Sequence, residues 1–365
     1  MNGTSEPLRK DAYATAGVDQ ARAHAGVAAI VGALAEAGVA ARALLVPSGH
    51  YAAVLDVAPG PALALATDGV GSKLVVAEQL ARFDTVGIDC VAMNVNDIVC
   101  VGAEPVAFLD YVAVEQPDEE MLAAVASGIA SGAARAGVVV PGGELAVVPD
   151  LIRGHPSPRG LDLVGFCVGT VARERILDGS RIAPGDVVIG LPSNGIHANG
   201  LTLARKALPD LAERPEALAG RSVGDVLLDP TEIYVPCALD LLRTAGDGPL
   251  HGFAHITGDG LLNLLRLNSR VGYRIEQPLP SPPIFALIAE RGGVSEAEMW
   301  EVFNMGCGFC VIADRTRADD LLAVARRHYP AAAVIGEVTD RAGLVELPGA
   351  GLVGNRRSGF RPGSA

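Results

Sequence analysis

From residue 62 onward, short aliphatic runs alternate with segments in which apolar residues recur every three to four positions. The run "ALALAT" has strand character and residues 72–82 have helical spacing; "PVAFLDYVAVE" and residues 118–137 repeat this order. A chain that alternates in this way folds into sheets covered by helices. The predicted class is therefore α/β.

The length and net charge of the chain limit its number of domains and its classes of partner. The chain has 365 residues, half of them hydrophobic, so we expect two domains, each with its own core. The net charge of −13 at pH 7 argues against nucleic-acid or anionic-membrane partners, because both require clustered Lys and Arg. The early apolar stretch 27–47 is interrupted by Glu36 and Arg42, which favours a buried or amphipathic helix over a membrane span.

The six cysteines are scattered through apolar segments, and the N-terminus lacks the pattern of a signal peptide. This distribution favours a reducing, cytoplasmic location. Cys307 and Cys310 form a C-x-x-C motif without a second Cys or His pair, so we interpret them as packing residues of a buried strand, "GFCVIA".

The residues that follow "ALALAT" have the composition of a phosphate-binding loop. Asp68 and Lys73 flank two glycines, Gly69 and Gly71, and a helical segment follows. Their order matches neither the P-loop nor the dinucleotide-binding motif. From spacing alone, Asp68 could be a turn residue and Lys73 an ordinary lysine in the first turn of a helix.

A second polar group lies within the predicted helix "DTVGIDCVAMNVNDIVCVG". Its apolar residues recur at helical spacing, which places Asp89 and Asn96 together on a different face, with Asp97 beside them. A purely structural helix does not require these polar groups.

The proline-rich stretch 148–162 is predicted to be a long loop of functional or inserted character. Strand character returns after it, and we place the domain boundary near 172–176. The predicted domains are 1–173 and 174–348, followed by a flexible tail, 349–365.

Several longer motifs resemble one family. "ATDGVGSK", "GIDCVAMNVNDIVCVGAEPVAFLDY", "GGEL", "GFCVG", "SNGIHANGLTLARK", "HITGDGLLN" and "FNMGCG" occur here in the order found in the phosphoribosylformylglycinamidine cyclo-ligase (AIR synthetase) family of purine biosynthesis. The resemblance extends from about residue 13 to about residue 338. It is specific because the ordered motifs span both halves of the chain.

The resemblance implies a two-domain α/β fold in which the N-terminal domains of a homodimer pair to form a β-barrel, with a mixed α/β C-terminal domain. It implies that ATP and Mg²⁺ are used to close the ring of a small ribonucleotide. ATP would activate an amide oxygen, a neighbouring nitrogen would attack the activated carbon, and phosphate would leave. Phosphoryl transfer of this kind depends mainly on positioning and charge neutralisation.

The resemblance also implies roles for individual residues. The implied catalytic residues are Lys73 and His197. The implied ATP- and phosphate-binding residues are Thr67, Asp68, Gly69, Gly71, Lys73, Asn96, Gly142 and Gly143. The implied metal ligands are Asp68, Asp97 and Glu144. The implied substrate-binding residues are Asn199, His255, Thr257, Gly258 and Gly260. For His197, a capping or core role is an equal alternative.

Three positions depart from the family pattern: "PSGHYAA" (47–53) replaces a glycine-rich segment, Leu145 follows Glu144, and Asp259 lies in "HITGDG". Asp tolerates left-handed backbone, so the turn at Asp259 is expected to survive, with the carboxylate pointing away from the substrate. One alternative function is another ATP-using enzyme of the superfamily, such as a small-molecule kinase or a selenophosphate-synthetase-like protein, although the latter would require a cysteine well before Cys90. The other is a non-catalytic nucleotide-binding paralogue, which would not need a full acidic cluster.

Overall fold

The computed structural model describes residues 12–18, 20–36, 44–46, 49–246 and 248–363. The helices in these ranges are α1 (Ala12–Thr15), α2 (Gln20–Glu36), α3 (Lys73–Leu80), α4 (Asp84–Cys100), α5 (Glu119–Ala136), α6 (Leu201–Ala207), α7 (Val223–Leu227), α8 (Val235–Ala245), α9 (Pro283–Gly292), α10 (Glu296–Val302) and α11 (Ala318–His328). The strands are β1 (Leu44–Val46), β2 (Ala53–Leu55), β3 (Ala62–Gly69), β4 (Glu104–Val114), β5 (Val139–Val147), β6 (Leu161–Val171), β7 (Val187–Pro192), β8 (Leu250–His255), β9 (Gly272–Ile275), β10 (Cys307–Ala313), β11 (Ala333–Thr339), β12 (Val345–Leu347), β13 (Leu352–Asn355) and β14 (Gly359–Pro362).

The first half of the chain forms a six-stranded sheet in the order β1-β2-β3-β6-β4-β5. Helices α4 and α5 pack on it and approach each other closely, since a Cβ atom at Gly87 or Gly128 would collide with the other helix's backbone. The last two strands in this order, β4 and β5, carry exposed apolar side chains, which we call the β4–β5 surface: Val106, Leu109, Tyr111, Val139, Val140, Leu145 and Val147. Four of them, Val106, Tyr111, Leu145 and Val147, are 44–51% exposed, which leaves an apolar surface at the edge of this sheet.

The second half forms an eight-stranded sheet in the order β14-β13-β12-β9-β11-β7-β10-β8. Strand β10 is buried along its whole length, which confirms the strand predicted for "GFCVIA". The Sγ atoms of Cys307 and Cys310 lie 3.6 Å apart within it. Both halves therefore have mixed α/β structure, as the sequence predicted.

The segment predicted as a flexible tail, 349–365, contains β13 and β14, which pair antiparallel. Phe360 is only 6% exposed, and its backbone N–H donates to a carboxylate oxygen of Glu301 at 3.3 Å. The prediction of a flexible tail is therefore wrong for residues 349–363. No strand pattern was visible there, because the segment has few apolar side chains among many Gly and Arg. Residues 364 and 365 lie outside the described ranges.

Helix α4 joins the two halves through the polar face that its sequence predicted. The carboxylate of Asp89 accepts hydrogen bonds from the backbone N–H and the hydroxyl of Thr231, at 2.7 and 2.6 Å. The amide of Asn96 donates to the carbonyl of Glu232 at 2.8 Å and accepts from the N–H of Tyr234 at 2.9 Å. These polar groups on a buried helix therefore bind the second half of the chain.

The early apolar stretch forms part of α2, in which Val27 and Ile30 are 60% and 63% exposed. Of its remaining positions, 44–46 form β1, and 37–43 and 47 lie outside the described residues. Over the part of the chain that is described, no helix combines the length and apolar character needed to span a bilayer.

Candidate functional site at the junction of the two halves

Two carboxylates from the first half lie near each other at the junction. Asp68 lies at the end of β3, where its Oδ1 accepts the N–H of Gly69 at 2.7 Å, and Asp97 lies near the end of α4. Burial, followed by the negative charge of Asp97, raises the pKa of Asp68 to about 6. A pair of carboxylates under mutual repulsion is suited to binding a cation, and Mg²⁺ commonly takes one or two carboxylates together with water.

The second half contributes His255 at the end of β8. Its Nδ1 lies 2.9 Å from Oδ1 of Asp97, and its Nε2 lies 3.4 Å from the amide nitrogen of Asn96. The imidazole is fully buried. Asp97 and His255 therefore connect the acidic pair to the second sheet.

The turn after His255 carries the predicted substrate-binding residues. Asp259 and Gly260 have φ values of 73° and 52°, so the left-handed turn survives with Asp, as predicted. The side chain of Asn263 stabilises the turn by donating to the carbonyl of Gly258 at 2.8 Å. Oδ1 of Asn199 lies 3.5 Å from the position that a Cβ of Gly258 would occupy. We call residues 255–260 the substrate turn, after the role that the sequence predicted for them. His255, Thr257, Gly258 and Gly260 lie in this turn, and Asn199 lies against it.

His197 is buried beside this region, with 1% of its surface exposed and a φ of 60°. Both ring nitrogens find no hydrogen-bond partner among the described residues. Burial, and then the charges of His255 and Lys73, lower its pKa below the usual range, so the ring is neutral at pH 7. A neutral imidazole offers one donor and one acceptor.

Lys73 has an environment that the sequence did not predict. Its Nζ lies 2.9 Å from the carboxylate of Asp89 and 2.5 Å from the backbone carbonyl of Asp229, and the side chains of Lys73 and Asp89 are both 0% exposed. The ammonium therefore takes part in the contact between the two halves. Asn96, also predicted to bind phosphate, uses its buried amide in the same interface.

Glu144 does not join the acidic pair within one chain. Across the first sheet, Asp68 is aligned with Gly165, then Asp110, then Gly143. Three strand spacings separate Asp68 from Gly143, which is about 14 Å. Glu144 is the next residue, so its side chain points to the opposite face of the sheet from Asp68. Among the residues described, no three His, Cys, Asp or Glu side chains are grouped so as to hold a metal.

The other loop residues lie close to Asp68. The hydroxyl of Thr67, an exposed residue, donates to the carbonyl of Gly165 at 2.9 Å. Gly71 has a φ of 67° and open space where a side chain would lie, so its backbone conformation is the reason for glycine here. Gly69 and Gly71 thus lead the chain from Asp68 into α3.

Segment 47–53, which differs from the family pattern, forms contacts that no sequence pattern indicated. Its Pro47 and Ser48 lie outside the described residues. The hydroxyl of Tyr51 donates to the carbonyl of Asn263 at 3.0 Å. The guanidinium of Arg266 lies 4.3 Å from the centre of the Tyr51 ring and donates to the carbonyl of His50 at 2.9 Å. Burial and the charge of Arg266 lower the pKa of His50 to about 4. These side chains link the first half to the helical turn that follows the substrate turn.

Comparison with known proteins identifies both halves. Residues 49–171 match the family model "AIR synthase related protein, N-terminal domain", and residues 183–346 match the corresponding C-terminal domain. A phosphoribosylformylglycinamidine cyclo-ligase from Thermococcus kodakarensis is 47% identical over 81% of this chain and 84% of its own length. The protein of the same name from Methanothermobacter thermautotrophicus is 47% identical over 82% of this chain and 86% of its own length.

Solved structures show the same fold at lower identity. The hydrogenase maturation protein HypE in its complex with HypF aligns with a TM-score of 0.61 at 20% identity, covering 86% of this chain and 93% of that chain. HypE in complex with ATP aligns with a TM-score of 0.59 at 22% identity, covering 86% of this chain and 87% of that chain.

Proposed function

Because this chain belongs to the AIR synthase related family, we propose that it converts formylglycinamidine ribonucleotide and ATP into aminoimidazole ribonucleotide, ADP and phosphate. The observation that carries the proposal is the Asp68–Asp97 pair held against His255, because both matched domains contribute to it. The identity of 46–47% to relatives named as cyclo-ligases supports this reaction.

The chemistry requires that an amide oxygen become a leaving group. The γ-phosphoryl group of ATP is transferred to the formyl oxygen, a nitrogen of the amidine attacks the formyl carbon, and the oxygen leaves with phosphate. Mg²⁺, when bound, neutralises phosphate charge during this transfer. Asp68 and Asp97 are the residues that would hold it, since a cation would offset the burial and the charge of Asp97 that raise the pKa of Asp68.

The second half would position the ribonucleotide. Thr257 and Gly258 lie in the substrate turn, whose left-handed backbone at Asp259 and Gly260 suits the binding of an anionic group by N–H donors. Asn199 lies against the turn, and the neutral ring of His197 can donate and accept hydrogen bonds without adding charge. We therefore assign the turn to the ribose phosphate and His197 to the reacting amide or phosphate.

A homodimer would provide the third predicted metal ligand, Glu144, which lies far from the acidic pair of its own chain. The β4–β5 surface is apolar, exposed and at the edge of its sheet, so a second copy packing there would bury it and could continue the sheet into a barrel. Glu144 lies on β5, beside Tyr111 of this surface and about 14 Å from Asp68 of its own chain. We propose that Glu144, with Gly142 and Gly143, serves the acidic pair of the partner subunit.

Lys73 is proposed to act by positioning. Its ammonium ties the segment around Asp229 to α4 next to the glycine loop, and so fixes Asp68 relative to the second half. The unpaired thiols of all six cysteines fit a reducing compartment such as the cytoplasm.

The proposal is tested with purified protein, Mg-ATP and formylglycinamidine ribonucleotide. We expect ADP and aminoimidazole ribonucleotide in equal amounts, and loss of both in Asp97→Asn. Asp319→Asn, on the exposed side of α11, is the matched control and should retain full turnover. ATP turnover on a different phosphoacceptor would indicate another enzyme of the superfamily, and ATP binding without turnover would indicate a non-catalytic protein.

A further inference from the structure

The proline-rich stretch 148–162 contains a loop whose two ends touch each other. A Cβ atom on Gly154 would lie 2.3 Å from the backbone nitrogen of Gly160, and one on Gly160 would lie 2.6 Å from that of Gly154, so neither position has room for a side chain. Residues 155–159 between them are exposed. We call residues 154–160 the closed loop. None of the residues assigned to ATP, metal or ribonucleotide lies in it.

Glu115, the residue after β4, holds the two ends of the closed loop together. Its Oε2 accepts the backbone N–H of Gly154 at 2.7 Å and that of Gly160 at 3.4 Å, and its Oε1 accepts the hydroxyl of Ser157. The N–H of Glu115 in turn donates to the carbonyl of Gly160 at 2.9 Å. The closed loop is therefore fixed to the first sheet by contacts that do not involve α3.

Glu78 ties the closed loop to α3. One carboxylate oxygen accepts the backbone N–H of His155 at 2.6 Å, and the other accepts the N–H of Leu161 at 3.2 Å. Glu78 is only 3% exposed. A buried carboxylate is costly unless hydrogen bonds satisfy it, and these two backbone donors do so. The contact with the loop thus explains why an acidic residue occupies a buried position on α3.

Helix α3 continues directly from the glycine loop, residues 68–72. The helix begins at Lys73, and Glu78 lies about 7.5 Å further along its axis. With only eight residues, α3 is too short to be stable by itself, so its position depends on its contacts with the rest of the chain. Lys73 fixes the first turn through Asp89 and the carbonyl of Asp229, and Glu78 fixes the second turn. A change at Glu78 therefore acts on the glycine loop through α3.

We propose that the closed loop, acting through Glu78, positions α3 and the glycine loop for the phosphates of ATP. The inference rests on the proposed function. Glu78 is a positioning residue, because both of its carboxylate oxygens are occupied by backbone donors of the loop. Loss of this contact weakens the binding of Mg-ATP and leaves the binding of the ribonucleotide, which the second half holds, unchanged.

Amide hydrogen exchange, measured residue by residue by NMR, tests the contact without any need for turnover. In Glu78→Gln one oxygen becomes an NH₂ group, which cannot accept a hydrogen bond. We expect exchange at His155 and Leu161 to become about tenfold faster, the effect of losing one good hydrogen bond. The N–H of Gly154, whose acceptor is unchanged, should keep nearly wild-type exchange. Glu290→Gln, at an exposed position of α9, is the matched control and should change none of them.

Calorimetric titration with Mg²⁺ and a non-hydrolysable ATP analogue tests the effect on the ATP site. We expect Kd for the analogue to rise about tenfold in Glu78→Gln. Gly154→Ala forces the two ends of the loop apart without changing a carboxylate, and should raise Kd by a similar factor. The double variant should bind no more weakly than Glu78→Gln alone, because the loop acts through Glu78. Gly349→Ala, where a Cβ atom has open space, should retain wild-type affinity.

Steady-state kinetics separates positioning from a general loss of structure. In Glu78→Gln we expect KM for ATP to rise with Kd, while kcat and KM for the ribonucleotide change less than about twofold. A loosened fold would instead change all three parameters.

Several results would overturn the proposal. Unchanged exchange at His155 and Leu161 in Glu78→Gln would refute the contact. Faster exchange with unchanged Kd would show that the loop does not act on the ATP site, and additive losses in the double variant would show that Gly154 and Glu78 act independently. A wild-type protein that binds no ATP analogue would overturn the proposed function and this inference together. Normal wild-type turnover with unchanged Kd in both variants would overturn this inference alone.

Discussion

Lys73→Met is the substitution whose consequence the structure defines most sharply. Lys73 and Asp89 form an ion pair at 2.9 Å, and both side chains are 0% exposed. Removal of one partner leaves a buried, uncompensated charge, which costs about 3–5 kcal/mol of unfolding free energy. Asp89 retains its two hydrogen bonds from Thr231, so we expect a value near the lower end of that range.

The assay is a double-mutant cycle by urea unfolding, with turnover measured for the same four proteins. Asp89→Asn alone leaves the ammonium buried and should cost a similar amount. In the double variant no charge remains, and the amide oxygen that replaces the Asp89 carboxylate can still accept a hydrogen bond from Thr231. The double variant should therefore be at least about 2 kcal/mol more stable than the sum of the single effects predicts.

Turnover separates a positioning role from a chemical one. If Lys73 acts through the domain contact, turnover in the double variant should recover along with stability. A stable double variant that remains about 10²-fold slower than wild type would show that the ammonium acts on the transferring phosphate. Single variants that each lose less than about 1 kcal/mol would refute the buried pair itself.

Three further predictions concern other parts of the account. Asp68→Asn should abolish turnover yet raise stability at pH 7.5 by about 3 kcal/mol. The pKa of Asp68 in the folded protein, about 6, exceeds its ordinary value, so its ionisation destabilises the fold in full above pH 6 and not at all below about pH 4. Thermal unfolding at pH 7.5 and below pH 4 checks this, and an equal melting temperature for the variant and wild type at pH 7.5 would contradict it. Equal amounts of inactive Asp68→Asn and Glu144→Gln chains, refolded together, should regain about a quarter of wild-type turnover if each site is shared by two subunits; no recovery, with hybrids shown to form, would exclude sharing. Replacing Cys307 and Cys310 together by Ser should leave turnover and metal content near wild type, with some stability lost to buried hydroxyls; stoichiometric zinc that disappears in the variant would reverse the assignment.

The sequence predicted elements with a clear period. The strand "ALALAT", the helix from Asp84 and the buried strand through Cys307 all occur where hydrophobic spacing placed them. The shared face of Asp89 and Asn96 was also predicted, because helical geometry alone determines it. Its target, the segment around Thr231, was not, since the partners are 142 positions apart in the chain and no local pattern records such a pairing.

The missed features have in common that they depend on long-range packing. In the sequence, Glu144 and Asp68 have similar glycine-containing surroundings. Only the strand order shows that the two residues lie three strands apart. Arg266 ends a short helical turn with no motif of its own, yet it stacks on Tyr51 from the other half of the chain. The pairing of β13 and β14 could not be predicted, because each strand has only four residues and few of them are apolar.

The fate of the formyl oxygen tests the central claim most directly. The protein is incubated with Mg-ATP and formylglycinamidine ribonucleotide labelled with ¹⁸O in the formyl group, and the released phosphate is analysed by mass spectrometry. Transfer of the phosphoryl group to that oxygen predicts one ¹⁸O atom in each phosphate, with one aminoimidazole ribonucleotide formed for each ADP. Unlabelled phosphate, with the label found in water or retained in the ribonucleotide, would contradict it.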